Sequence, residues 1–287
     1  MKFEQIAILG GGLLGGSLAL RAQSSRKATL WVRRPEAVAE AKSLGIAEAT
    51  ADLSEALAGA ELVILAVPVG AMAGLVDQMR AAGLSGQTLV SDVGSVKSCV
   101  HRAMRECAKD KPLRFIGGHP MAGSEASGMQ AARFDLFDWA ACLLTDDQAV
   151  GQPWTDALEG FWRDVGCRVH WLSAADHDRL VARMSHLPHM MAALTARVGY
   201  RDPADGAFAG GGMRDTTRVA AGNPAMWAEI LLENREAVID ALGPVREWLT
   251  DLHGMLERGD ERAMRDWLAE AQRLHAAGSR VNEFPDK

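Results

Sequence analysis

A glycine-rich turn near the start of the chain most constrains how it can fold. The apolar run Ile6–Leu9 leads directly into Gly-Gly-Gly-Leu-Leu-Gly-Gly-Ser, which has the spacing G-x-G-x-x-G between a strand-like and a helix-like segment. In that spacing Gly10 permits a tight turn, Gly12 lets a pyrophosphate approach the backbone, and Gly15 lets the helix pack closely on the strand. A plain strand-to-helix turn is the alternative, but the flanking segments favour dinucleotide binding at the helix N-terminus. The candidate cofactor-binding residues of this turn are Gly10, Gly12, Leu13, Leu14 and Gly15.

The residues after the second predicted strand bear on which dinucleotide binds. That strand is Ala28–Val32, and Arg33 and Arg34 follow it directly. At this position an NAD enzyme usually has an Asp or Glu that accepts hydrogen bonds from the ribose hydroxyls. A carboxylate would repel a 2′-phosphate, whereas a guanidinium binds it through paired charged hydrogen bonds. The sequence therefore favours NADP over NAD; two solvated arginines, with Glu36 in the NAD role, are the alternative.

Composition narrows the class of protein. The 287 residues carry a formal net charge of −6 and one Tyr, with no basic stripe, so nothing points to a nucleic-acid partner. No apolar run approaches the length of a membrane span, and the N-terminus has no leader-like charged and apolar regions. The four cysteines, Cys99, Cys107, Cys142 and Cys167, form no CxxC pair. We therefore expect reduced, structural thiols in a cytoplasmic protein with no membrane partner.

Short β-rich runs alternate with helical stretches through the first half of the chain. This alternation predicts an α/β fold with a parallel, doubly wound sheet of the Rossmann type. The second half changes to apolar residues at helical spacing, so we expect a dinucleotide-binding domain over 1–172 and an all-α domain over 173–287. A symmetric partner would cover the apolar faces of that second domain, which predicts a homodimer.

The predicted elements follow from these runs. The further strands are expected at Leu62–Val67, Thr88–Val93, Phe115–Gly118, Ala141–Thr145 and Arg168–Leu172. The helical segments are expected at Pro35–Leu44, Ser54–Leu57, Leu180–Val198, Met226–Leu242, Val245–Leu256 and Ala263–Leu274.

Two segments at predicted strand ends carry candidate catalytic side chains. Ligands bind beyond the carboxyl ends of the strands in an open α/β sheet, and Ser95 in Asp-Val-Gly-Ser-Val-Lys follows such a strand. Its hydroxyl either contacts a substrate or caps the following helix. His119 is predicted on a loop between Gly118 and Pro120, where it is a good general base because its ordinary pKa lies close to the working pH. Glu125, six residues on, either lines the same cleft or is a solvated carboxylate.

Two further segments offer imidazole or guanidinium groups. His186 and His189 lie three residues apart on one helix face, with a proline between them that is expected to kink the helix. Zinc ligation would need further ligands that the sequence does not signal, so we expect no metal, with one His in the cleft and one structural. Arg214 and Arg218 follow three glycines and lie one helical turn apart, which suits an anionic substrate. A pair of surface arginines with a neighbouring aspartate is the alternative.

Taken together, these segments resemble the prephenate and arogenate dehydrogenases of tyrosine biosynthesis. The resemblance rests on GGGLLGGSL from residue 10, DVGSVK at 92–97, GHPMAGSE at 118–125, SHLPH at 185–189 and GGGMRDTTRVAAGNPAMW at 210–227. These motifs occur in the family's order across nearly the whole chain. They imply a Rossmann domain followed by a helical domain that forms an intertwined dimer. They also imply oxidative decarboxylation of a cyclohexadienol, in which hydride passes to NADP or NAD, CO2 leaves and the ring becomes aromatic.

The resemblance also assigns roles to single residues. His119 matches the family's catalytic His, which takes the proton of the ring hydroxyl, and Ser95 would hold that hydroxyl and the imidazole. Arg218 matches the Arg that binds a substrate carboxylate. The other candidates for substrate contact are His189, Glu125 and Arg214, with Trp227 packed near the site.

The sequence leaves three activities open. The first is prephenate dehydrogenase, or a relaxed cyclohexadienyl dehydrogenase that also accepts arogenate. The second, oxidation of 4-amino-4-deoxyprephenate in specialised metabolism, would use nearly all the same residues. The third is a non-catalytic NADP-sensing protein. The presence of Ser95, His119 and Arg218 speaks against a sensor, since a sensor needs no base.

Overall fold

The structure, a computed structural model, describes residues 1–109, 111–124 and 126–281 and places its strands in two sheets. The strands are β1 (Gln5–Leu9), β2 (Lys27–Trp31), β3 (Ala49–Thr50), β4 (Leu62–Leu65), β5 (Leu89–Asp92), β6 (Arg114–Phe115), β7 (Gly117–Pro120), β8 (Ala141–Thr145) and β9 (Arg168–Trp171). The first six form a parallel sheet in the order β3-β2-β1-β4-β5-β6. In the second sheet β7 pairs antiparallel with β8, and β8 pairs parallel with β9.

Helices connect the strands and predominate in the described chain after β9. They are α1 (Leu13–Ala22), α2 (Glu36–Ser43), α3 (Leu53–Leu57), α4 (Val69–Ala81), α5 (Ser98–Cys107), α6 (Trp154–Val165), α7 (Ala174–Val181), α8 (Leu187–Gly199), α9 (Gly211–Thr217), α10 (Pro224–Glu233), α11 (Arg235–Arg258) and α12 (Glu261–Val281). Three short 3-10 segments lie at Met129–Ala131, Pro203–Phe208 and Arg218–Ala221.

The parallel sheet is buried on both faces, as its sequence predicts. Successive side chains of a strand point to opposite faces, so alternate residues of β1 enter different cores. Ile6 and Ile8 belong to one buried cluster, and Ala7 and Leu9 belong to the other. The predicted α/β class with a helical C-terminal part is therefore confirmed.

The strand predicted at Phe115–Gly118 is wrong in its bounds, and the difference moves His119. The chain leaves the parallel sheet after Phe115 and enters the second sheet at Gly117, so His119 lies within strand β7 and not on a loop. A Cβ at Gly117 would lie 2.5 Å from Thr145 Oγ1, and one at Gly118 would lie 2.7 Å from the carbonyl oxygen of Asp92. Glycine is therefore required where β7 passes this closely over its neighbours, and such residues weaken the sequence signal for a strand.

The helical stretch predicted over Leu180–Val198 is broken just before its proline. The chain passes from α7 through a π-helical turn, Ala182–His186, into α8, which holds Pro188 in its first turn. Proline has no N–H to donate to the preceding turn, and a first turn is where that donor is not needed. The wider π turn accommodates this entry, which differs from a simple kink.

By compactness the chain divides into two units, residues 1–238 and 239–287. The domain boundary predicted between residues 172 and 173 lies inside the first unit and stays a prediction. No helix in the described part of the chain combines the length and apolarity needed to cross a bilayer. The four cysteines are free thiols.

Candidate active site

The glycine turn between β1 and α1 forms an open cradle of backbone N–H groups. Gly10 has φ +126°, and a Cβ there would lie 2.3 Å from the carbonyl oxygen of Ala66. A Cβ at Gly15 would lie 1.9 Å from the carbonyl oxygen of Gly10, so only glycine permits this contact of helix and turn. By contrast, a Cβ at Gly12 would meet no atom within 4 Å, and no side chain caps the helix there. The first N–H groups of α1, starting at Leu13, therefore face space into which an anion fits.

The end of β2 lies beside this turn. The Gly10 N–H donates to the carbonyl oxygen of Trp31 at 3.0 Å, two residues before Arg33. Arg33 is exposed and has no ion pair or hydrogen bond to any residue the structure describes. Arg34 Nε lies 3.9 Å from Glu36 Oε1, and both side chains are exposed. A guanidinium and a carboxylate are therefore both available just after β2, beside the glycine turn.

A buried ion pair fixes the next two segments of the same sheet edge. Lys97 Nζ lies 2.5 Å from Asp92 Oδ2, and both side chains are fully buried. The same carboxylate accepts hydrogen bonds from the backbone N–H groups of Gly94, at 2.8 Å, and Gly118, at 3.0 Å. One carboxylate thus holds both the segment between β5 and α5 and the strand β7, the two places where catalytic side chains are predicted.

His119 is a buried imidazole on β7. Its Nδ1 lies 2.9 Å from Nε2 of His177. Burial lowers the pKa of His119 well below its ordinary value of 6.5, and electrostatic interactions with His177, Lys97 and His186 lower it further. The ring is therefore neutral at neutral pH, which is the state that can accept a proton.

A carboxylate orients the second imidazole. His177 Nδ1 lies 2.8 Å from Asp178 Oδ1. Burial raises the pKa of Asp178, but hydrogen bonds, first from His177 and then from Ser98, bring it down to about 2. Asp178 also accepts the backbone N–H groups of Lys97 and Ser98, at 2.8 Å and 2.9 Å. It therefore caps the N-terminus of α5 as well as holding the ring.

Ser95 lies in the segment between β5 and α5 and is half-buried. The alternative of a helix cap does not hold, because α5 begins at Ser98 and Asp178 supplies its cap. Within the described residues the Ser95 hydroxyl has no hydrogen-bond partner. It is therefore available to a ligand.

A second group of side chains surrounds His189 on α8. The imidazole stacks on Trp227, with ring centroids 3.5 Å apart and planes inclined by 9°. Burial lowers the pKa of His189, and the backbone of Val219, the residue after Arg218, opposes that shift. The Nδ1 atom of His189 is buried and has no partner in the described part of the chain. The imidazole therefore lies on a helix that packs against the 3-10 segment beginning at Arg218.

His186 makes a different contact from His189, the other His of its motif. Its Nδ1 lies 3.1 Å from Asn234 Nδ2, which also donates to the backbone carbonyl oxygen of Asp178 at 2.9 Å. Burial lowers the pKa of His186 to about 4. Asn234, between α10 and α11, is therefore bonded both to His186 and to the segment that carries the His177–Asp178 pair.

Three predicted site residues remain, namely Arg214, Arg218 and Glu125. Arg214, on α9, is exposed and donates from Nη1 to the carbonyl oxygen of Ala209 at 2.9 Å. Arg218 is exposed and begins the 3-10 segment that follows α9. Glu125 lies outside the described residues. In the chain that the structure describes, no three or more His, Cys, Asp or Glu side chains are grouped to hold a metal ion.

Comparison with known proteins decides the family. The family model of the prephenate dehydrogenase nucleotide-binding domain matches residues 17–171, and that of the prephenate dehydrogenase dimerization domain matches residues 173–270. The chain belongs to the prephenate dehydrogenase family. The resemblance of the sequence motifs to that family is therefore confirmed.

Individual members of the family align over nearly the whole chain. The cyclohexadienyl dehydrogenase of Zymomonas mobilis is 31% identical over 284 residues, 96% of this chain and 96% of that protein. The structure of prephenate dehydrogenase from Aquifex aeolicus in complex with hydroxyphenyl propionate and NAD+ superposes with a TM-score of 0.86, 28% identity and coverage of 96% and 99% of the two chains. Synechocystis arogenate dehydrogenase superposes with a TM-score of 0.77, 27% identity and coverage of 98% and 100%.

Within this prephenate dehydrogenase fold, sequence reasoning missed the residues behind the predicted base. Asp92 and Lys97 lie inside a motif that was selected for Ser95, and nothing in their spacing signals a fully buried pair. His177 and Asp178 belong to no motif. The one available signal was their place just after Ser173, whose hydroxyl caps α7 and so orients the first turns of that helix.

Proposed function

We propose that the protein oxidises prephenate, with loss of CO2, using a nicotinamide cofactor. The single observation that carries this proposal is the neutral, buried imidazole of His119, fixed by Asp92 at the sheet edge that also holds the Ser95 hydroxyl. Removing the proton from the ring hydroxyl while hydride leaves the same carbon requires such a base. Loss of CO2 then makes the ring aromatic, which drives the reaction forward.

The residues present fit a bound dinucleotide. The open N-terminus of α1 would receive the pyrophosphate, and Gly10, Gly12, Leu13, Leu14 and Gly15 would line it. When bound, the nicotinamide accepts the hydride from the substrate ring. His119 takes the hydroxyl proton at its free ring nitrogen, and the Ser95 hydroxyl holds the substrate oxygen toward that nitrogen.

Arg218 and His189 would bind the anionic part of the substrate. The packing of α8 against the 3-10 segment that begins at Arg218 supports this role, because a guanidinium binds a carboxylate through paired charged hydrogen bonds. Arg214 would lie one turn away, for the second carboxylate, and Glu125 is proposed to line the same cleft. Prephenate and arogenate differ only at the far end of the side chain, so these residues would meet both.

Truncation of Arg218 is expected to weaken substrate binding and little else. In Arg218→Ala the KM for prephenate should rise about ten- to a hundredfold, since a charged hydrogen bond contributes roughly 1.5–3 kcal/mol. The Kd of the cofactor, measured by fluorescence titration, should not change. Arg197→Ala removes an exposed guanidinium of α8 and serves as the control. An unchanged KM would remove Arg218 from the substrate site.

The cofactor is proposed to be NADP, on the strength of the Arg33 guanidinium beside the glycine turn. Arg33→Asp replaces a partner of the 2′-phosphate with a group that repels it. The ratio of kcat/KM for NADP to that for NAD should fall about ten- to a hundredfold. Arg102→Asp makes the same charge change at an exposed position of α5 and should leave the ratio unaltered. A wild-type protein that already prefers NAD would contradict this use of the arginines.

The assembly is proposed to be a homodimer. The match to a dimerization domain over residues 173–270 supports it. So do large apolar side chains that are exposed on α11 and α12, namely Ile239, Trp248, Leu249, Leu256, Leu268 and Leu274. A second copy of the chain would cover them.

Steady-state kinetics with prephenate and with arogenate, each with NAD and NADP, test the proposed function. We expect turnover with prephenate and NADP to have the highest kcat/KM. Turnover with 4-amino-4-deoxyprephenate alone would instead favour the specialised pathway. Cofactor binding without turnover of any of the three would favour the non-catalytic alternative.

A further inference from the structure

A chain of two hydrogen bonds runs from His119 into the protein interior. His119 Nδ1 meets His177 Nε2 at 2.9 Å, and His177 Nδ1 meets Asp178 Oδ1 at 2.8 Å. Both rings are buried, so water does not compete for these nitrogens. Each bond needs one donor and one acceptor, which means that the proton position at one end fixes the position at the other.

The carboxylate end of this chain is an acceptor. Asp178 accepts the backbone N–H groups of Lys97 and Ser98 in addition to the ring, as an ionised carboxylate does. His177 must therefore carry its proton on Nδ1. A neutral His177 then has a bare Nε2, which accepts the proton on Nδ1 of His119. That leaves Nε2 of His119 without a proton.

We propose that His177 and Asp178 are positioning residues that hold His119 in the tautomer with the proton on Nδ1, so that Nε2 is the atom that takes the substrate proton. This inference rests on the proposed function for its catalytic meaning. The proton transfer is balanced: the O–H bond of the substrate breaks, an N–H bond forms at Nε2, and the imidazolium shares its Nδ1 proton with His177. Asp178 stays ionised and stabilises the charge through His177.

The same carboxylate links the two catalytic segments. Asp178 caps α5, and the segment just before α5 carries Ser95. Asn234, between α10 and α11, donates to the backbone carbonyl oxygen of Asp178 and so helps to fix the backbone that carries this carboxylate. The position of the base and the position of the hydroxyl therefore depend on one residue of α7.

Three variants separate proton placement from packing. In Asp178→Asn the negative charge behind His177 is removed, while the side-chain oxygen that accepts from both Lys97 N–H and His177 Nδ1 is kept. In His177→Leu the acceptor for His119 is removed. In His177→Gln a side-chain oxygen still accepts from His119, so this variant is the rescue. His101→Gln alters another buried His, bonded to Thr145 Oγ1, and controls for lost packing.

The kinetic result expected is a loss of kcat with KM for prephenate and Kd for NADP nearly unchanged. Asp178→Asn should lower kcat about tenfold or more, because the imidazolium formed on His119 loses the carboxylate charge that stabilises it through His177. His177→Leu should lower it roughly ten- to a hundredfold, and His177→Gln should recover most of that loss. A kcat within twofold of wild type in both Asp178→Asn and His177→Leu would overturn the proposal.

A direct readout is the tautomer of His119, taken from the ring-nitrogen chemical shifts of isotope-labelled histidine by NMR. The His119 signals are assigned by their absence in His119→Asn. Wild type and His101→Gln should show the proton on Nδ1, and His177→Leu, which lacks the acceptor, should show a mixture of the two tautomers. A wild-type proton on Nε2 would overturn the proposal. The spectrum needs no substrate, so it decides the matter even if turnover of prephenate fails and the proposed function falls.

Discussion

Replacement of His119 by Asn is expected to lower kcat for prephenate by about 10²–10⁴, the usual contribution of a general base. Asn keeps a polar group of similar size on β7 but has no nitrogen that accepts a proton. The substitution leaves the proposed cofactor site at the N-terminus of α1 untouched, so the Kd for NADP should stay as in wild type. Stopped-flow or steady-state formation of the reduced cofactor measures the rate.

His170→Asn is the matched control for this variant. His170 lies in the same three-stranded sheet, in register with Leu143, which itself pairs with His119. It is exposed, so the same substitution there makes no demand on the site. We expect His170→Asn to keep wild-type kcat. A near-normal kcat in His119→Asn would move the base elsewhere, with His189 the next candidate.

The pH dependence of the wild-type rate follows from the same group. Burial, and then His177, Lys97 and His186, lower the pKa of His119 well below 6.5. The rate should be constant near neutral pH and fall only as the pH drops through that lowered pKa, because the protonated ring accepts nothing. The unfolded chain takes its proton near 6.5, so this group's contribution to stability is present above 6.5 and lost as pH falls below it. An acidic limb that persists unchanged in His119→Asn would contradict the assignment.

Removal of the buried ammonium of Lys97 is expected to destabilise the fold by about 3–5 kcal/mol, the cost of leaving a buried charge without its partner. In Lys97→Met the Asp92 carboxylate stays fully buried and keeps only its bonds to the backbone of Gly94 and Gly118. The free energy of unfolding from urea titration measures the loss. Activity should fall as well, because the same carboxylate holds both catalytic segments.

A double-mutant cycle separates the charge from the loss of packing. Lys97→Met with Asp92→Asn removes both charges, so we expect the double variant to be more stable than Lys97→Met alone. Lys42→Met, on exposed α2, should change stability by less than about 0.5 kcal/mol. If Lys97→Met were as mild as Lys42→Met, the ion pair would not hold the site together.

The parts of the fold that local pattern determines were predictable from sequence. Leu62–Leu65 is a continuous apolar run, and the structure makes it a strand with all four residues buried. The glycine spacing predicted the turn at Gly10, whose positive φ and contact with Ala66 exclude a side chain. These features depend on residues that are close in the chain.

The arrangement behind the base depends instead on contacts between distant segments. Asp178 caps a helix that begins 80 residues earlier, and His177 meets His119 across 58 residues. Lysine side chains are solvated in most proteins, so the complete burial of Lys97 cannot be inferred from composition or spacing. The break between β6 and β7 was not predicted for a related reason. Gly117 and Gly118 are needed there because Thr145 and the backbone of Asp92 lie against them in the fold.

The product balance of a single reaction tests the central claim most directly. Purified protein is mixed with prephenate and NADP, and the reduced cofactor, CO2 and 4-hydroxyphenylpyruvate formed are measured together. The proposed oxidative decarboxylation predicts equal amounts of all three, and their formation should be abolished to near background in His119→Asn. Reduced cofactor without CO2, or no reduced cofactor with prephenate and either NADP or NAD, would contradict it.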